Sequence, residues 1–216
     1  MTVPLSGTHP GGPDERRRVR GMNERSRTGQ QSARALLPVG LAFFGDRVRA
    51  VPPAAWSAAT PCDQWSVRDL VNHLVAEHRW AADLLAGQTM SEVGDRYDGD
   101  VLGEDPVGAW RDAAAASAAA WARVSDDDAR IGLSAGQVPL GEYAEQMLLD
   151  LAVHGWDLSR GAGLDERIPP ELVRRVLRYT EPRVELFAGS GMFGAPVRVE
   201  DGDEQARLLG LLGRHP

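Results

Sequence analysis

The sequence predicts an all-α helical bundle. Three observations carry this: long runs whose apolar residues recur every three or four positions, capping residues at their starts with Gly at several ends, and almost no two-residue alternation outside "APVRVE". Helices with one apolar stripe bury it best against one another, which gives a bundle.

The elements follow in order. In "SARALLPVGLAFFGDRVRAV", Leu36, Leu37, Leu41, Phe43, Phe44 and Val48 lie at helical spacing, with Pro38 near the first turns. The connection "PPAAWSAATPCDQW" is punctuated by proline. A second helix, "SVRDLVNHLVAEHRWAADLLAG", opens on Ser66 and Asp69 at capping-box spacing and stops at Gly87. Residues 88–105 read as a polar, acidic loop. Pro106 suits a first helical position and opens an alanine-rich third helix. The fourth runs from about Gly141 to Arg160 and ends at Gly161. A fifth, "IPPELVRRVLRYTEPRVELFA", is interrupted near Pro182, and "APVRVE" forms a short extended piece before a terminal helix.

Residues 1–31 are rich in Gly, Pro, Ser and Arg and predict a disordered tail, with Arg16–Arg18 and Arg20 as solvated charge. Met22 is an alternative start. One domain is expected over residues 32–216. No run approaches the ~18 apolar residues of a membrane span, and no apolar h-region marks a secretory signal. With one cysteine, Cys62, no internal disulfide forms, and a cytoplasmic location is the expectation. All 24 basic residues are Arg, which excludes Schiff-base and P-loop lysines. A net charge of −7 speaks against nucleic-acid binding.

Within "DLAVHGWDLSR", Asp150, His154 and Asp157 stand at i, i+4 and i+7, inside an otherwise apolar run. Asp150 and His154 converge beside the helix, which suits a shared metal ion and equally a plain hydrogen bond. The second helix offers His73, on a face with Leu70, Glu77, Trp80 and Leu84, and His78, on the more apolar face with Val71, Leu74 and Val75. Periodicity does not choose between them. Cys62 precedes a helix start, where a thiolate would be stabilised, but a free cysteine is more often a small buried hydrophobe. Glu77 reads as a solvated charge or as an acceptor near His73, and Asp157 as a helix-edge charge or a group orienting an imidazole. Trp56, Trp65 and Trp156 read as packing anchors.

"TPCDQWSVRDLVNHL", "DLAVHGWDLSR" and the terminal "LLGLLGRHP" together resemble a DinB-like metal-binding family, related to the N-terminal domain of mycothiol-dependent maleylpyruvate isomerase. The resemblance spans about Leu36 to Pro216. It implies a DinB-like four-helix bundle with additional C-terminal helices, and a divalent metal held by His73, Asp150 and His154. The isomerase carries Glu at the acid position, so Asp150 is one methylene shorter. Two imidazoles and one carboxylate leave positions for water or substrate, as in catalytic sites. Zinc leads, with Ni(II), Fe(II) and Mn(II) compatible. The implied function is a metal-dependent transferase or isomerase acting on a small molecule with mycothiol or another thiol. The alternatives are a non-catalytic metal- or ligand-binding bundle with a stress or sensing role, and a purely structural bundle. A homodimer is compatible with this class.

Overall fold

A computed structural model describes residues 31–63, 65–134, 136–190, 193–200 and 202–216. The tail assigned to residues 1–31 therefore lies outside the described residues, except for Gln31.

Four helices build the bundle. Helix α1 (Ala33–Ala50) is capped by Ser32, whose hydroxyl accepts from the Ala35 N–H. Helix α2 (Val67–Leu85) opens on the capping box that the sequence predicts, Ser66 and Asp69 satisfying each other's backbone N–H groups. A single turn, α3 (Met90–Val93), precedes α4 (Pro106–Trp121), which has Asp105 as cap and Pro106 at its first position. Helix α5 (Leu140–Ala162) is the longest and ends on Gly163 at φ +68°. Helix α1 packs against α5 and α4, and α2 against α4 and α5. Leu37, Phe44, Leu74, Leu148, Leu151, Trp156 and Leu158 fill the space between them. At the α1–α5 crossing, a Cβ on Gly155 would lie 2.3 Å from Phe43 Cε1, so only glycine allows this approach.

The additional C-terminal helices are α6 (Pro170–Thr180), α7 (Val184–Ser190) and α8 (Glu204–Leu211), with a 3-10 turn at Glu181–Arg183 where Pro182 interrupts the run. Helix α6 packs on α8, α5 and α1, which fastens the C-terminal part to the bundle. Among the described residues no helix is long and apolar enough to cross a membrane.

Three expectations are corrected. Helix α5 runs through Gly161, where the missing Cβ lets the Ala59–Thr60 loop come close, and Gly163 supplies the turn. An antiparallel hairpin forms where no strand was expected, β1 (Arg130–Leu133) with β2 (Gly136–Pro139). "APVRVE" forms no strand among its described residues, although the Val197 N–H donates to Gly210 O at 2.8 Å. The acidic loop 88–105 holds the α3 turn and is tied to α2 by Asn72. Its side-chain amide donates to Gly99 O and accepts from the Val101 N–H, both at 2.8 Å.

Candidate metal centre

Helix α5 places Asp150, His154 and Asp157 on successive turns, with His154 next to α2 and Asp157 next to Arg214. His154 is only 6% exposed, and its Nδ1 lies 3.1 Å from Asp157 Oδ2. Asp157 is fully buried and also accepts from Arg214, at 2.8 Å from Nη2 and 3.3 Å from Nε. Burial alone would raise the Asp157 carboxyl, but hydrogen bonds from His154 and Arg214 outweigh it and hold the group below its ordinary range. For Arg214, burial works against the charge and Asp157 more than restores it. Facing an ionised carboxylate, Nδ1 is the donor of this pair, and Nε2 is the ring nitrogen left for another partner. That nitrogen makes no hydrogen bond among the described residues.

Next to His154 stands His73, on α2. The two imidazoles are 5.5 Å apart between ring centres and nearly perpendicular. Trp65 lies against both rings, at 4.8 Å from His73 and 5.8 Å from His154, so the indole walls the site rather than only anchoring the connection. Burial, with His154 adding to it, lowers His73 to about 4, so its imidazole is neutral and able to donate a lone pair to a metal.

Two carboxyls share this side. Asp150 keeps some surface toward solvent, yet dense packing around its carboxyl raises it against the pull of His154 and Arg214. Burial raises Glu77 to about 7, with Asp150 adding and His154 opposing. Tyr143 is buried beside both, and its phenol is raised first by burial and then by Glu77 and Asp150. Neither His73, Glu77, Asp150 nor Tyr143 makes a hydrogen bond among the described residues. Polar groups gathered in a largely buried place without partners call for an ion, a water or a ligand. Two imidazoles and one carboxylate are a donor set that suits a divalent transition metal, but the donor atoms that lie within 4.8 Å of one another among the described residues are those of Cys62, His154 and Asp157.

His78, which the helical wheel left as the alternative, faces the packed interior. It is fully buried, with Nδ1 2.9 Å from Ser117 Oγ and its ring edge-on to Trp110 at 5.3 Å. Burial, with His73 adding, lowers it to about 3. The groove of about 850 Å³ lined by Phe43, Arg47, Arg167 and Val173 includes none of the groups above.

Sequence reasoning missed Arg214 and the surroundings of Cys62. Arg214 is 6% exposed and reaches Asp157 from 57 residues away; its only sequence signal is a charge inside the apolar "LLGLLGRHP". Cys62 is half-buried rather than buried in the core, and its sulfur, a ring nitrogen of His154 and an Asp157 oxygen all lie within 4.8 Å of one another.

The profile of the mycothiol maleylpyruvate isomerase N-terminal domain family matches residues 37–159. The chain belongs to this family. Two uncharacterized proteins from two strains of Mycobacterium tuberculosis are each 31% identical to it over 117 residues, 52% of this chain and 58% of the relative. The chain thus spans a little over half the length of the curated relatives it matches. A histidine-to-alanine mutant of the mycothiol-dependent maleylpyruvate isomerase superposes with a TM-score of 0.55 at 16% identity, over 74% of this chain and 71% of that one. The isomerase itself gives 0.51 at 17%, over 72% and 71%. These similarities establish the all-α, DinB-like bundle; the family match, residues 37–159, includes His73, Asp150 and His154 but ends before Arg214.

Proposed function

We propose that this protein binds a divalent metal, zinc first among the candidates, through His73, Asp150 and His154. We propose further that it is a cytoplasmic transferase or isomerase acting on a small molecule with mycothiol or another low-molecular-weight thiol. The observation that carries the reading is the pair of imidazoles from two helices, 5.5 Å apart between ring centres, one of them hydrogen-bonded to the buried Asp157.

A bound cation supplies Lewis acidity, lowering the pKa of a coordinated thiol or polarising a carbonyl. The chain supplies the rest. Asp157 and Arg214 hold the His154 tautomer, and Trp65 excludes water from one side of both imidazoles. Glu77, close to half-protonated at neutral pH, is placed to hold or release a proton at its carboxyl oxygen.

Metal content of the purified protein and of His73→Ala and His154→Ala tests the site. We expect near-stoichiometric metal in the parent and a loss of at least tenfold in affinity in both variants; unchanged content in both would remove the site. Isomerisation and thiol-transfer assays with and without metal test the chemistry, and inactivity across thiols and electrophiles would leave a binding protein.

A further inference from the structure

We infer that Cys62 is a further ligand of this site, its thiolate joining the ion that His154 would hold. The inference rests on the metal reading above and deepens it: the chain brings its own sulfur to the place where an external thiol is expected.

Of the three groups clustered within 4.8 Å, Asp157 is already committed, since its oxygens accept from His154 and twice from Arg214. It therefore orients His154, and the remaining free donors are the His154 Nε2 and the Cys62 sulfur. The sulfur makes no hydrogen bond among the described residues, and neither does the Nε2 of His154, a side chain nine-tenths buried. In a tetrahedral zinc site, ligand S and N atoms sit about 3.5 Å apart, given bonds of ~2.3 and ~2.0 Å. The 4.8 Å cluster places the sulfur beside one ring nitrogen of His154, and rotation about the cysteine χ1 is what would carry it to the Nε2 side.

The backbone around Cys62 is fixed for this. Its N–H donates to Thr60 Oγ1 at 3.2 Å, and its carbonyl accepts from the Trp65 N–H at 3.1 Å. The Thr60 N–H and hydroxyl both donate to Trp65 O, at 3.1 and 3.0 Å. This turn presses on α5 at Gly161, where a Cβ would come within 3.0 Å of Ala59 O and Thr60 Cγ2. The sulfur and the Trp65 wall are thus set by one rigid turn over His154. On coordination the Sγ–H proton passes to buffer, the S–metal bond forms, a metal-bound water leaves, and no electron is transferred.

Cobalt(II) loading of the full chain, without added thiol, tests this. Cys62 is the only cysteine, so a thiolate-to-cobalt charge-transfer band in the near ultraviolet can come from nowhere else in the chain. The expected result is that band in the parent, its absence in Cys62→Ser, and an affinity in Cys62→Ser lower by roughly tenfold or more, the loss expected even for an outer-shell partner. Cobalt(II) bound without the band, or with equal affinity in parent and Cys62→Ser, would overturn the inference while leaving the metal site standing. No cobalt(II) bound by the parent would overturn the metal reading itself. Should Cys62→Ser fail to fold by circular dichroism, the parent's band alone decides.

Discussion

His73 and His78 sit five residues apart on α2, and both are pushed well below the ordinary histidine range by burial. Their surroundings differ in kind. His78 is wedged against Trp110 with Ser117 as partner, so its polarity is partly absorbed by the packed interior. His73 meets another imidazole, an indole and unpartnered carboxyls. A shifted pKa alone therefore does not mark a functional group, and neither does one unpaired atom, since the His78 Nε2 is also buried without a partner; the gathering of several donors in one place does. The same contrast runs along α5, where Asp157 is saturated by two donor groups and Asp150 has none.

The largest expected effect lies on the saturated side. Arg214→Ala leaves a fully buried carboxylate without its cation and should cost about 3–5 kcal/mol in urea unfolding; a loss below about 1 kcal/mol would mean that Asp157 is not committed as described. Metal binding sharpens the comparison of the two histidines. At a free metal concentration 100 times Kd, the parent should gain about 2.7 kcal/mol. His73→Ala should abolish that gain and His78→Leu should keep it. A metal response lost in His78→Leu but kept in His73→Ala would reverse their roles.

The pH dependence of the metal-free protein separates the groups further. A histidine whose folded pKa is depressed stays neutral in the fold while the unfolded chain protonates, so its contribution is lost as pH falls below about 6.5. The slope is about 1.4 kcal/mol per pH unit for each such group, and it ends near pH 4 for His73 and near 3 for His78. Glu77 acts in the opposite sense. With its folded pKa raised to about 7, it favours the fold at low pH and its contribution is lost as pH rises from about 4.5 to 7. Glu77→Gln should therefore steepen the rise of stability with pH in that window, and His78→Leu should flatten it. Urea titrations across pH 4–7 check both signs. The smallest effect is expected from Ser66→Ala, which removes the α2 cap for about 1 kcal/mol without touching the site; a change in metal affinity there would show that the cap also positions Trp65.

Much of this was legible because helices announce themselves. The capping box at Ser66 and Asp69 and the proline at the head of α4 are local signals, and local chemistry decided those boundaries. The hairpin at Arg130–Pro139 escaped because its four-residue strands are too short to show alternation. Choosing His73 over His78 was beyond periodicity, since each faces a neighbour that a single helix cannot reveal; the choice came from the family resemblance. What Cys62 and Arg214 touch was invisible for a different reason. One sits in a turn and the other joins Asp157 across 57 residues, and no spacing rule reports such contacts.

The Arg214–Asp157 contact has a consequence for the order in which the protein matures on the ribosome. All four bundle helices lie before residue 163, so the bundle can condense while the later segment is still being made. His154 cannot receive its full support until residue 214 has emerged and docked. Assembly of the scaffold and competence of the site are thereby separated in time, and a nascent chain can be folded well before it is ready.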